Sequence, residues 1–356
     1  MTFWQTNNNY GQVLQLFALH KTLTKKNYHP FLIRYYVIPK HKYKWLKLFR
    51  HLFEFSRYRF FLNSMIRKEP DRDFDKFRKT HLNITPEVYS SIDELKQINA
   101  DAIIVGSDQV WNYTLFGDEP DPAFYLRFAS DNCKKLSYAA SFGFPALPLK
   151  FEKPIQDWIK SFHAVSVRDE ASKTICEQQL KKEATLVVDP TLLLNKSEYE
   201  LLFEGTIPSE PYCVFYHLAG QRKVNFQKIK SFCANNNLKY VFIPVLETGF
   251  SDAIYPTIGN WLKLIANASF VITNSFHGTC FSIIFQRKFV TIMESGALSK
   301  RNTRIVSLLS AFHSTNRIWD YDDCLQQYYE TEEFSFQKED KQFIQQSLDF
   351  LTFNLQ

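Results

Sequence analysis

Residues 268–285 read ASFVITNSFHGTCFSIIF, and the rest of the chain is understood from them. The run 269–273 is short, apolar and β-branched, the pattern of a buried strand. Asn274 and Ser275 interrupt it, His277, Gly278 and Thr279 follow, and 280–285 reads as the opening of a buried helix. A strand, a polar turn and a helix make half of a βαβ unit, with the turn where open parallel sheets bind ligands. The first amides of such a helix favour an anion. Gly278 permits close backbone approach, Ser275 and Thr279 bring hydroxyls, and His277 brings the turn's one titratable side chain. The plainer alternative is a capped helix with a histidine packed beside it.

Outward from that stretch the pattern repeats. Residues 101–106 form a strand ending in Ser107, Asp108, Gln109, Trp111 and Asn112. A carboxylate, two amides, a hydroxyl and an indole suit a sugar, which needs polar forks and an aromatic face. Strands follow at 135–140, at 164–169 with Arg168 near its end, and at 185–190. Helical segments at 152–162 and 171–179 alternate with them, which means a parallel α/β sheet. Arg168 equally suits a structural ion pair. A polar crossover at 195–211 leads to a second set, with strands at 212–217, 240–244, 269–273 and 289–293 and helices near 225–234 and 260–268. The expected division is a first Rossmann-like domain over 1–198, a second over 199–334, and a helix in 335–356 that packs back on the first. Near the start, a stub of strand precedes Asn9, Tyr10, Gly11 and a helix. Either the start codon is annotated late or the first strand is short.

The 356 residues are 45% hydrophobic, ample for a packed core. The net charge of +6 is mild and largely local. Residues 40–79 carry thirteen basic and five acidic side chains, an excess of eight positive charges, with Trp45, Phe49 and Phe53 at helical spacing. Such a segment either rests on an anionic membrane surface or covers the sheet with a solvated basic face. The six cysteines lack metal-ligand spacing, no apolar run is long enough to span a bilayer, and the first residues do not show a basic segment followed by an apolar one and a small-residue cleavage site. A cytoplasmic setting is the expectation. No P-loop, dinucleotide fingerprint or nucleophile elbow occurs.

Taken together, Asn9-Tyr10-Gly11, DAIIVGSDQVWN, SYAASFG, VSVRDEAS, VVDPTLLL, the block WLKLIANASFVITNSFHGTCFSIIF and the later Asn302-Thr303-Arg304 resemble the polysaccharide pyruvyl transferase family. The motifs run in order from about residue 9 to 309. The resemblance implies an α/β fold of two Rossmann-like domains whose parallel sheets face across a cleft, as in GT-B glycosyltransferases. It also implies transfer of the carboxyvinyl unit of phosphoenolpyruvate onto two hydroxyls of a sugar, giving a pyruvate ketal and phosphate. The acceptor expected is a surface polysaccharide or its lipid-linked precursor. No cofactor and no nucleic acid are expected. His277 is the expected acid–base group, with Asp108 as base or acceptor ligand, and Arg168, Arg304 and the helix start after His277 meet the donor's anions. Family members often carry Arg where Ser275 stands, so anion binding is expected to lean on Arg168 and Arg304. The rival expectations are a GT-B glycosyltransferase using a nucleotide sugar and a non-catalytic assembly protein docked on the membrane through 40–79.

Overall fold

The structure is a computed structural model, and it describes residues 1–2, 9–36, 72–218, 224–245, 250–296, 299, 302–320 and 323–356. The expected basic helix lies outside the described residues up to position 71. In chain order, α1 (Tyr10–Lys25) leads to β1 (Leu32–Tyr35), and α2 (Phe74–His81) leads to β2 (Ile84–Tyr89), which pairs in parallel with β1. Strand β2 is not among the expected strands. Pro86 lies within it, and proline is tolerated at an edge. Strand β3 (Ala102–Val105) pairs in parallel with β4 (Lys134–Ser137). After α3 (Leu149–Ile159), bridges tie β4 to β5 (Ser166–Val167), which runs parallel to β6 (Thr185–Leu186). Beside β3, the carbonyl of Met1 accepts from the Gly106 amide at 3.0 Å, so Met1 lies against the end of that strand.

β5 and β6 are shorter than expected because the residues after them have other work. The Asp169 side chain accepts from the Ser172 amide and that of Asp189 from the Thr191 amide. Each carboxylate caps the helical turn that follows, so the chain leaves the sheet early.

The second set is more regular. It comprises β7 (Tyr212–His217), α4 (Phe226–Asn235), β8 (Lys239–Pro244), α5 (Ile258–Ala266), β9 (Phe270–Thr273), α6 (Phe276–Ile284), β10 (Phe289–Ile292), α7 (Asn302–Ala311) and β11 (Ile318–Trp319). The strands form one parallel sheet in the order β11-β10-β9-β7-β8. Every residue of β7, β9 and β10 is buried, as a sheet covered on both faces requires. The chain steps outward from β7 to β8 and then back over β7 to β9. The sheet's switch point therefore lies between β7 and β9, where open parallel sheets bind ligands.

The two sets share a core. Tyr10, Val13 and Leu14 of α1 belong to the same apolar cluster as Tyr216, Trp261 and Phe281. The Tyr10 ring stacks on Trp261 with centroids 5.0 Å apart. The last helix, α8 (Lys338–Leu355), returns to the first set. There Ser347 Oγ accepts from the Val188 amide at 3.0 Å and Leu351 packs with Leu19, Leu23 and Tyr138. All six cysteines are unpaired; five are buried and Cys324 is exposed. Among the described residues no helix is long and apolar enough to cross a membrane, and no group of acidic, His and Cys side chains could hold a metal ion.

Candidate active site

The ends of β3, β5 and β6 and the starts of α6 and α7 meet at one buried cluster. After β3 the chain turns through Gly106, whose φ of +117° suits glycine and where a Cβ would sit 2.2 Å from the Tyr138 carbonyl oxygen. Ser107 follows, and then Asp108, itself left-handed at φ 74°. This turn aims the Asp108 carboxylate at Arg168, at the end of β5. Arg168 Nη2 donates to Asp108 Oδ1 at 2.7 Å, and Nη1 donates to Asp189 Oδ2 at 2.7 Å and to Ser107 Oγ at 3.3 Å. The Arg168 side chain is fully buried, and its guanidinium lies over the Phe276 ring, 4.4 Å from the centroid. Arg304, from α7, reaches within 3.9 Å of the same Asp108 oxygen.

The second set contributes His277. The helix was expected to open at Cys280, but α6 begins at Phe276, so His277 and Gly278 lie in its first turn rather than in a loop. Ser275 is the reason. Its Oγ accepts from the Gly278 amide at 3.1 Å, a cap that starts the helix at once. His277 Nε2 then stands 3.8 Å from Asp189 Oδ2, close enough for charge attraction and too far for a hydrogen bond. Across the ring lies Gly11, where a Cβ would fall 2.1 Å from His277 Cγ and Nδ1. Only glycine at position 11 lets α1 lie so close to the imidazole.

Charge balance governs the cluster. Burial pushes the Asp108 carboxyl up, but Arg168, His277 and Arg304 outweigh it and hold the group below the usual carboxylate range. Asp189 is held well below that range in the same way, burial being overcome by His277, Arg168 and the Ser107 hydroxyl. Burial works against the charge of Arg168 too, and its two aspartates more than restore it.

Not every expected residue faces this cluster. The Trp111 indole is buried, stacks on Tyr125 and donates to the Phe124 carbonyl at 3.0 Å, so it is core and offers no face to a sugar. Asn112 caps the helical turn at Tyr113–Phe116. Tyr10 is core, its hydroxyl donating to the Pro256 carbonyl at 2.6 Å. Asn9 caps α1. The Thr279 hydroxyl is turned inward onto the Ser275 carbonyl and Thr291. Asn274 joins strand ends across the switch point: it exchanges two 2.7 Å hydrogen bonds with the Leu218 backbone and donates to Glu294 at 2.8 Å. Arg168, expected to grip a donor anion, has both terminal nitrogens committed to carboxylates. Gln109 does stay near: its amide oxygen accepts from Asn112 Nδ2 at 2.8 Å or, with the amide turned over, from Arg304 Nη2 at 3.1 Å. Asp189, Gln12 and Phe276 belong to the site and were not singled out. Gln12 Nε2 approaches Asp108 Oδ2 at 3.4 Å. The signal for Asp189 was present, a carboxylate at the end of an apolar strand.

No curated protein matches the sequence. A family model does, that of polysaccharide pyruvyl transferase, over residues 9–296, a span that holds every residue of the cluster except Arg304. The chain therefore belongs to the polysaccharide pyruvyl transferase family, enzymes that transfer pyruvate onto polysaccharide.

Proposed function

We propose that the donor is phosphoenolpyruvate and that the product is a pyruvate ketal on a sugar of a surface polysaccharide or its lipid-linked precursor. The two strand sets are read as the halves of a GT-B-like arrangement, with the acceptor on the first and the donor on the second. In this reaction the methylene carbon of the donor takes a proton, the adjacent carbon becomes cation-like, and two sugar hydroxyls add to it as the bond to phosphate breaks. Of the two hydroxyl protons, one replaces the proton delivered to the methyl carbon and the other leaves with phosphate.

The observation that carries this reading is the convergence of His277 with Asp108 and Asp189 around one buried guanidinium. His277 is the acid that protonates the methylene carbon, and Asp108 is the base for a sugar hydroxyl. Two carboxylates set against Arg168 and Arg304 leave no surplus positive charge for a donor bearing both phosphate and carboxylate. A protonated His277 supplies it, and that is the form a general acid needs. With Arg168 committed, the donor's anions fall to Arg304 and to the amides of Phe276 and His277, since Ser275 already holds that of Gly278.

The test is incubation with phosphoenolpyruvate and a panel of lipid-linked glycans. Glycan-dependent release of phosphate with a matching mass gain on the glycan is expected. His277→Ala should lower the rate by about 100- to 10,000-fold. Turnover of a nucleotide sugar, with no phosphate released from phosphoenolpyruvate, would overturn the proposal.

A further inference from the structure

Asp189 uses its two oxygens differently. Oδ1 is anchored to its own turn, accepting from the Thr191 amide at 3.1 Å and the Thr191 hydroxyl at 2.9 Å. Oδ2 is shared among three other parts of the chain. It accepts from Ser107 Oγ at 2.8 Å and Arg168 Nη1 at 2.7 Å, and it faces His277 Nε2 at 3.8 Å. That nitrogen is buried and has no hydrogen-bond partner among the described residues. The imidazole is thus confined between the Gly11 backbone on one side and the Asp189 carboxylate on the other.

We infer that Asp189 is a positioning residue, which holds the His277 ring in place and stabilises its protonated form. Ser107 sets how much of the carboxylate's charge the ring receives. The inference rests on the reading of His277 as the acid–base group. Other groups around the ring act less directly. Asp108 has one oxygen on Arg168 with Arg304 close by, and the other on Gln12, so two cations offset it. Arg168 and Arg304 oppose a charged imidazole. On its own helix Cys280 is the neighbouring titratable group, and burial pushes that thiol well up, so it stays neutral.

Two substitutions give opposite signs. Asp189→Asn removes the carboxylate and leaves Arg168 less balanced, and both changes disfavour imidazolium. His277 then gives up its proton at lower pH than in the unaltered protein. Ser107→Ala takes one donor away from Oδ2 without changing any charge, so more of the carboxylate's field reaches the ring and the shift is to higher pH.

The experiment is an NMR titration of the histidine rings in the full chain without substrate, with His277→Gln identifying the relevant signal among nine histidines. A downward shift in Asp189→Asn and an upward one in Ser107→Ala support the inference. An unmoved titration in folded Asp189→Asn overturns it. If that variant does not fold, an unmoved or downward shift in Ser107→Ala overturns it instead. Failure of the unaltered protein to use phosphoenolpyruvate would refute the proposed reaction and leave this titration intact.

Discussion

Gly11 and His277 are 266 positions apart and behave as one unit, because the ring fills the space where a Cβ on residue 11 would stand. Gly11→Ala should leave α1 intact, since alanine favours helix more than glycine does. It must push the imidazole aside, and misplacement by about 1 Å is enough to cost roughly 100-fold in rate. Turnover measured beside a melting curve checks this: activity should fall with no comparable loss of stability. Arg168→Lys has the opposite profile. An ammonium keeps the charge but cannot bridge two carboxylates in fork geometry. Losing one charged hydrogen bond should destabilise the fold by about 1.5–3 kcal/mol, read from chemical denaturation. Side-chain chemistry at strand ends was legible in the sequence, and direction was not. His277, Asp108 and Arg168 were marked by type and place, yet an indole at position 111 reads the same whether it faces a ligand or the core. Asp189 was passed over because its role depends on groups 82 and 88 positions away, Ser107 and His277.

Among the elements, α6 is the one whose start matters most. The Phe-His-Gly-Thr run gave no apolar periodicity, so the sequence pointed to a later opening at Cys280. The cap at Ser275 decides otherwise and sets His277 on a rigid turn. Ser275→Ala should cost about 1 kcal/mol and loosen that turn. Gly278 serves packing: a Cβ there would lie 2.5 Å from Thr273 Oγ1 and 2.9 Å from Tyr216 Cδ1. Gly278→Ala is therefore expected to destabilise by about 1–3 kcal/mol through overpacking, despite the better helix propensity of alanine. Equilibrium unfolding of both variants checks the pair. Four of the five strands of the second set were read nearly to the residue because their apolar runs are unbroken, and the two-residue β11 was not expected. Those of the first were overextended where a terminal aspartate turned out to cap the next turn. The edge strand β2 went unseen because proline argues against a strand unless the edge is known.

For the whole molecule, Asp108 and Asp189 link stability to acidity. Both carboxyls titrate lower in the folded chain than the unfolded value of about 3.9, so their contribution is complete above that pH. It is lost as the pH falls through the folded values, because the unfolded chain then binds more protons. Melting temperature should accordingly drop steeply below about pH 4, and folded Asp189→Asn should show a shallower drop. The decline comes from a cluster that ties the first strand set to α6 of the second, so both sets should melt together. The cysteines carry a separate consequence. Five thiols are sealed inside and only Cys324, just beyond the edge strand β11, meets solvent. A thiolate must reach its reagent. A maleimide dye should therefore take up one equivalent on the native protein and six after denaturation. Evolution has in effect left a single address on the outer margin of the second sheet, to which a fluorophore can be delivered without engineering any residue of the enzyme.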